Sequence, residues 1–365
     1  MREKRVVISG GGTGGHLYPA LVLGRQLVEL EPGLRLTYVG THRVVEKQIM
    51  EEHGVHFIPM RIEGLKGRGL KSLGGLVLLP LSFIQSLVIL LRTKPDLVIG
   101  VGGFSAGPIV LLASWLRIPT LILEQNALPG FTNRLLARWT RRAIVAFDTT
   151  LPYFKDKGVR LGNPVREDFY KLRPKSRTNR LAVLVFGGSQ GAHILNQNVT
   201  AALPLLAPYK GRVEIRHQTG PRDLDWVAGS YRAAGLNGST ATAYISDMPG
   251  AFADADLIIS RAGATTLAEI IAARRAAILV PFAGAAEDHQ TRNAQELAKV
   301  GGAEIIPEDR LTPGVLAGRI VHFLEHPDEL DAMERNLLAL RSENSADKIA
   351  ALCFSLMGNA RETRP

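Results

Sequence analysis

The chain is predicted to fold as two doubly wound α/β halves, each built on a parallel sheet of the Rossmann type. Three observations carry that expectation. Short β-rich apolar runs alternate with helical patterns along the whole length. A glycine-rich turn between an apolar run and a helix occurs at 10–16 and returns at 187–193. Finally, 365 residues exceed what one hydrophobic core usually supports.

The first set of runs is Arg5–Ser9, Leu34–Val39, Leu97–Val101, Thr120–Glu124 and Ala143–Phe147. The second is Leu181–Phe186, Val213–His217, Leu257–Ser260 and Ala277–Val280. Runs of this kind suit strands buried on both faces, and the intervening helices make neighbouring strands parallel. GGGTGGH follows VVIS in the first half, and GGSQGAH follows LAVLVF in the second. Between the halves, GNPVREDFYKLRPKSRTNR (162–180) is rich in proline, asparagine and charge and reads as a linker. The expected domains are therefore 1–163 and 164–343. A last amphipathic helix in 344–365 is expected to pack back on the first of them.

Composition narrows the class. Apolar residues make up 46% and charged residues 21%, as in an ordinary globular protein. The single cysteine, Cys353, excludes an internal disulfide framework and a cysteine-cluster metal site, and suits a reducing compartment. The apolar run after the basic start, Val6 to Ser9, is too short for a secretory signal. A formal charge of +10 implies an anionic partner, but the cations are scattered and no nucleic-acid recognition motif accompanies them. No nucleic-acid partner is expected.

Ser72–Leu91 is 20 residues without a charge, long enough to raise a transmembrane helix. Gly74, Gly75, Pro80, Gln85 and the serines argue against a span. The run also falls where a crossover helix is needed before DLVIGVGG. Its apolar residues lie nearly all round, and Lys66, Arg68, Lys71, Arg92 and Lys94 flank it. Two readings stay open: an unusually buried core helix, or an apolar surface rimmed by cations that lies on an anionic membrane.

Gly10, Gly12 and Gly15 fit G-x-G-x-x-G at a strand-to-helix turn, where backbone N–H groups and the helix dipole suit a diphosphate. A dinucleotide cofactor of the NAD type is one reading. It requires an acidic residue closing the second strand, yet Tyr38-Val39-Gly40-Thr41 carries none before Glu46. His16 stands just inside the following helix, either as a general base or as a packing residue of the first turn. A base contributes about 10²–10⁴ in rate. In the second half, Ser189 and the GGSQGA backbone repeat the device, and ISRAGATTLAEI (259–270) supplies it a third time. There Ala264 and Thr265 offer N–H groups. Glu269 is either the acceptor for two ribose hydroxyls or an ordinary exposed helix acid.

Taken together, GGTGGHLYPA (11–20), GVGGFSAGP (100–108), EQNALPGFTNR (124–134), GNPVR (162–166), GGSQGA (187–192), RAGATTLAE (261–269) and EDHQTRNA (287–294) resemble one family across nearly the whole chain. It is the family of peptidoglycan transferases that add N-acetylglucosamine to undecaprenyl-diphosphoryl-N-acetylmuramoyl-pentapeptide, turning lipid I into lipid II. The resemblance implies the GT-B arrangement, two Rossmann-like domains facing a cleft, with UDP-GlcNAc held mostly by the second and the acceptor by the first. It also implies inversion at the anomeric carbon, no metal and no other cofactor in the donor site, and a peripheral position on the cytoplasmic face of the cell membrane. By the same resemblance Thr13, Gly14 and Gly15 face the donor, Asn126 contacts its sugar and Arg166 meets the diphosphate region. Ser189 binds a phosphate, and Ile245 pairs with uracil through its backbone. Ala264, Thr265, Thr266, Leu267, Ala268 and Glu269 take diphosphate and ribose, and Gln290 takes the sugar hydroxyls. His16 and Glu124 are the candidates near the acceptor hydroxyl.

The resemblance also makes the 73–91 helix a membrane patch, with Trp115 beside it. Phe104 departs from the pattern, standing where many relatives carry tyrosine, so a role for that hydroxyl is absent here. Many sugar transferases bind metal through paired aspartates, and Asp223-Leu-Asp225 and Asp254-Ala-Asp256 fit D-x-D. Helix capping and solvation are expected to account for both. The alternatives that remain are a related transferase with another lipid acceptor and an NAD-type oxidoreductase.

Overall fold

The computed structural model describes residues 3–11, 14–62, 71–236 and 238–359. Thr13 and Gly12, with Lys66 and Arg68, lie outside the described residues. The chain divides into two compact units, Met1–Val165 with Asn344–Pro365, and Arg166–Glu343.

In the first unit, β1 (Arg5–Ser9), α1 (Gly14–Leu30), β2 (Arg35–Thr41), α2 (Val44–Glu52) and β3 (Phe57–Met60) are followed by α3 (Lys71–Thr93) and β4 (Leu97–Gly100). Then come α4 (Ala106–Trp115), β5 (Thr120–Glu124), α5 (Phe131–Leu136), β6 (Arg142–Val145) and β7 (Gly158–Arg160). Every pairing is parallel, in the order β3-β2-β1-β4-β5-β6-β7. Both faces of β1, β4 and β5 are covered, which is why Val6–Ile8, Leu97–Ile99 and Leu121–Leu123 are uninterrupted apolar runs.

The second unit opens with α6 (Glu167–Tyr170), β8 (Leu181–Phe186), α7 (His193–Leu206), β9 (Val213–Gln218), α8 (Leu224–Ala234) and β10 (Thr240–Thr242). It continues through α9 (Met248–Asp254), β11 (Leu257–Ser260), α10 (Ala264–Ala273), β12 (Ala276–Leu279), α11 (His289–Lys299) and β13 (Ala303–Ile305), and ends with α12 (Pro313–Glu325) and α13 (Pro327–Asn336). Its sheet is also all parallel, ordered β10-β9-β8-β11-β12-β13. The final helix, α14 (Ser345–Asn359), belongs to the first unit. Its Ile349, Ala350, Cys353, Leu356 and Met357 join the core formed by Val6, Ile8, Leu97 and Ile99, and burial pushes the Cys353 thiol up.

Four strands escape the sequence pattern: β3, β7, β10 and β13. Each is a short strand toward a sheet edge, and β7 and β10 keep no fully buried residue, so the apolar run that marks a central strand is missing. The 162–180 stretch is also more than a linker. Phe169 is fully buried and packs edge-on against Phe252 with ring centroids 5.0 Å apart. Farther along, Arg177 reaches Asp331 through Nε at 2.8 Å, and Asp256 and Glu334 through its terminal nitrogens at 3.1 and 2.8 Å. Asp256 accepts from the Ala182 N–H as well, so the cluster ties this stretch to the start of β8.

Removing one member of a buried ion cluster leaves the others desolvated and unpaired, at a cost of about 3–5 kcal/mol. Arg177→Ala is therefore expected to lower the unfolding free energy of the second unit by about that amount in urea titrations. A loss within about 1 kcal/mol, the scale of an exposed ion pair, contradicts this account of the cluster.

Candidate functional site

In the second unit, the loop after β8 carries GGSQGA and is locked from below by close backbone approach. Gly191 and Gly220 both have φ +76°, and a Cβ on Gly220 would lie 2.2 Å from the Gln190 carbonyl oxygen, closer than any real side chain tolerates. The Gly220 turn is carried by HQTG at the end of β9. His217 is completely buried, its Nε2 3.0 Å from Asn196 Oδ1 and its Nδ1 3.2 Å from the Tyr231 hydroxyl. Burial pushes it down to about 3, so the ring is neutral at ordinary pH. Asn196 in turn donates to the Thr219 carbonyl and to Asp223 at 2.8 and 2.7 Å. Ser189 stands exposed on this loop, ahead of the α7 N-terminus.

A second helix N-terminus follows β11. Leu267 is the first residue of α10 whose N–H turns back into the helix, onto the Gly263 carbonyl at 3.0 Å, and its side chain is fully buried. The Ala264–Thr266 turn precedes the helical ladder, the position at which a helix N-terminus suits an anion. Such a helix end stabilises a charge by roughly 0.3–1 kcal/mol when exposed and up to ~2 when partly buried.

Glu269 is half-buried, not the exposed acid of one sequence reading. Burial pushes its carboxyl up to about 7, against the Arg166 guanidinium, which pulls it down. Held above its ordinary 4.5, the group contributes stability that is complete below about 4.5 and lost as pH rises through about 7. Arg166 immediately precedes α6 and lies over the Phe169 ring at 5.2 Å. Gln290, second residue of α11, accepts through Oε1 from the Ala262 and Phe282 N–H groups at 3.2 and 3.0 Å. That fixes the amide orientation, with Oε1 committed to the backbone and Nε2 turned away from those two N–H groups. Ile245 is buried, and its N–H donates to Gln218 Oε1 at 2.8 Å.

In the first unit, Gly14, Gly15 and His16 form the first turn of α1. His16 is half-buried and its ring lies over Gly102, where a Cβ would be 2.9 Å from Nε2. Gly103 meets Gly11 in the same way, its added Cβ only 2.1 Å from the Gly11 carbonyl oxygen. β2 itself carries no acid, but the fold brings the next one to its end. Glu46 reaches back from α2 to accept from the Thr41 N–H and hydroxyl at 2.7 and 2.8 Å. It is buried and committed to the fold, which removes it as the ribose acceptor a dinucleotide cofactor needs.

Glu124 ends β5, fully desolvated, and four donors occupy it. Oε1 accepts from the Asn126 N–H and Nδ2 at 2.9 and 3.2 Å, and Oε2 from the Gly130 N–H and Asn133 Nδ2 at 3.0 and 2.8 Å. Burial raises this carboxyl while the four donors pull it down, the net direction being upward. A carboxylate has about four lone-pair sites, all spent here on shaping the 124–133 loop and setting the Asn126 side chain. Asn126 is held further by the Thr150 hydroxyl on its carbonyl.

The paired aspartates have protein partners. Asp223 precedes α8 without capping it. It accepts instead from His193 Nδ1 at 2.9 Å and from Asn196, and these bonds hold it below the usual carboxylate range against burial, which pushes it up. Asp256 is the buried partner of Arg177 and not a solvated residue, while Asp225 is exposed and Asp254 faces Arg216 at 3.7 Å. His193 accordingly belongs to the loop network, with its ring edge-on to Trp226. Among the described residues no group of three or more His, Cys, Asp or Glu side chains converges as metal ligands.

Two nucleotide-type sheets with small-residue turns at helix N-termini are the build of a two-domain glycosyltransferase. The glycosyltransferase family 28 N-terminal domain matches residues 6–145, and the family's C-terminal domain matches 182–351. An enzyme of Anaeromyxobacter sp. (strain K), named UDP-N-acetylglucosamine–N-acetylmuramyl-(pentapeptide) pyrophosphoryl-undecaprenol N-acetylglucosamine transferase, is 43% identical over 98% of this chain and 96% of its own. Its namesake from Myxococcus xanthus (strain DK1622) is 42% identical over 99% and 96%. The crystal structure of Acinetobacter baumannii MurG superposes with a TM-score of 0.78 at 30% identity, covering 96% of this chain and 99% of that one. The chain belongs to this family of N-acetylglucosaminyltransferases, and its fold is GT-B.

Sequence reasoning missed Gln218, Asn196 and Glu46, because nothing in their local patterns marks them as network members. From the sequence Glu124 is expected near the acceptor hydroxyl, and in the structure its carboxylate is held by four protein donors. Glu124→Gln puts an NH2 against two of the four donors and is expected to cost about 1–3 kcal/mol of unfolding free energy. The pH dependence of turnover should keep its shape. Loss of the profile's acidic limb, which a proton-accepting carboxylate would set, contradicts the positioning role in that variant.

Proposed function

We propose that this chain moves N-acetylglucosamine from UDP-GlcNAc to the 4-hydroxyl of the N-acetylmuramoyl sugar of undecaprenyl-diphosphoryl-MurNAc-pentapeptide, the step from lipid I to lipid II in peptidoglycan synthesis. The observation that carries the reading is 43% identity, across nearly the full length of both chains, to an enzyme named for that reaction.

The reaction is a single displacement with inversion. The acceptor oxygen forms the new bond to the anomeric carbon, the bond from that carbon to the phosphate oxygen breaks, and UDP leaves with the electron pair. His16 takes the hydroxyl proton. The N–H groups of the Ser189 loop and of the Ala264–Thr266 turn, with Arg166, stabilise the diphosphate as its charge grows. Glu269 accepts from the ribose, Ile245 meets the uracil, and the Gln290 Nε2 donors meet the sugar hydroxyls. Gly14, Gly15 and Asn126 complete the donor contacts.

The chain works at the cytoplasmic membrane face as a peripheral protein, anchored through α3. Among the described residues no helix is long and apolar enough to cross a membrane. The described part of α3 buries Ile89 and Leu90 in the core and carries a second apolar stripe on its exposed side. Ser82 and Ser86 are buried, whereas Leu81, Ile84, Leu87, Val88 and Leu91 are exposed, Ile84 by 61% and Leu91 by 60%. Spacings of three and four residues put these five on one stripe. Trp115, 60% exposed at the end of α4, and the exposed cations Arg92 and Lys94 extend the patch. Apolar surface beside cations suits anionic lipid headgroups.

Radiolabelled UDP-GlcNAc with lipid I is expected to give labelled lipid II, and His16→Ala to lower kcat by about 10²–10⁴ at saturating donor. Label on a decoy lipid but not on lipid I refutes the acceptor, and near-normal turnover in the variant refutes the base. Separately, Ile84→Asp with Leu91→Asp is expected to abolish co-sedimentation with vesicles containing phosphatidylglycerol while leaving UDP binding intact. Unchanged sedimentation refutes the patch.

A further inference from the structure

We propose that Gln218 is a positioning residue for the donor nucleotide, holding the backbone that meets the uracil at a fixed distance from the loop that meets the diphosphate. The proposal rests on the donor-site reading above and deepens it.

Gln218 ends β9, the strand lying between β8 and β10 in the sheet. From that central place its side chain reaches to both sides. Nε2 donates to the Gly188 carbonyl at 2.9 Å, inside the GGSQGA loop that leaves β8. Oε1 accepts from the Ile245 N–H at 2.8 Å, on the segment that leaves β10. The amide is almost wholly buried, at 1% exposure. The residues after it continue the bridge in backbone form, with Thr219 N–H on the Thr242 carbonyl at 2.9 Å and Gly220 N–H on the Ala243 carbonyl at 3.1 Å.

Only a primary amide of this length supplies a donor at one end and an acceptor at the other. Glutamate keeps the acceptor for Ile245 and loses the donor for Gly188, methionine loses both, and asparagine is one methylene short. A ligand that touches the base-reading and phosphate-reading segments at once depends on their spacing. A ligand that touches one of them does not. Gln218 therefore acts on the nucleotide without touching it, by preorganising two segments into one site.

The test uses the full chain, its Gln218→Met and Gln218→Glu variants, and three competitors of UDP-GlcNAc: UDP, uridine and inorganic pyrophosphate. The UDP dissociation constant is expected to rise about tenfold or more in Gln218→Met, the scale of one lost buried hydrogen bond, while uridine and pyrophosphate change by less than about threefold. Gln218→Glu, which keeps the acceptor for the Ile245 N–H and loses only the donor to Gly188, should weaken UDP by an amount between parent and Gln218→Met. UDP binding within about twofold of the parent overturns the proposal, as does a parallel loss for all three ligands, which is what a merely structural residue gives. If UDP does not compete in the parent, the donor-site reading falls and this proposal falls with it. If UDP competes there and the variants leave it unchanged, only the role of Gln218 falls. Should a variant fail to fold, amide exchange in the parent decides: UDP must slow Ile245 and 188–191 together, and slowing of one segment alone overturns the coupling.

Discussion

Backbone pressed against backbone is the constraint on which the rest depends. In the second unit the GGSQGA loop touches the HQTG turn with no room for a side chain at Gly191 or Gly220. In the first unit Gly103 meets the Gly11 carbonyl in the same manner. A loop held this way presents its N–H groups without having to be ordered by the ligand. The entropy of fixing it is met during folding, not at binding. The helix termini supply at most ~2 kcal/mol each. That modest interaction becomes useful only where several N–H groups are already aimed.

Buried polar side chains then keep the locked loops from shifting. Glu124 gathers four donors from 126 to 133, and His217, Asn196 and Asp223 form a chain beneath the phosphate-type loop. Every such group must be satisfied, because an orphaned one costs about 1–3 kcal/mol. The networks therefore specify one arrangement of the site more than they add to stability. Glu269 is different. Among the described residues it has no donor set of that size, and burial pushes its carboxyl up to about 7 against the pull of Arg166.

The central strands, the repeated glycine turns and the motif order were legible in the sequence because each is a local pattern with a local cause. Edge strands were not, since β7 and β10 bury nothing completely. Glu46, Asn196 and Gln218 escaped for another reason. Each acts on a segment 5 to 30 residues away in sequence, Glu46 by the local turn from β2 into α2 and the other two through strands the parallel sheet brings together. The aspartate pairs taught the converse lesson: their spacing fits a metal pattern, yet Asp256 and Asp223 serve a buried arginine and an asparagine. For α3, composition showed an excess of apolar residues, but only the fold revealed that Ile89 and Leu90 join the core with two serines while a second apolar stripe faces outward.

The central claim is that the glycine lock preorganises the donor site, and calorimetric titration of UDP into Gly220→Ala tests it most directly. The added methyl must displace the Gln190 carbonyl, 2.2 Å away. The account predicts that UDP affinity falls by about tenfold or more while the first unit keeps its thermal transition. A variant that binds UDP as tightly as the parent contradicts it.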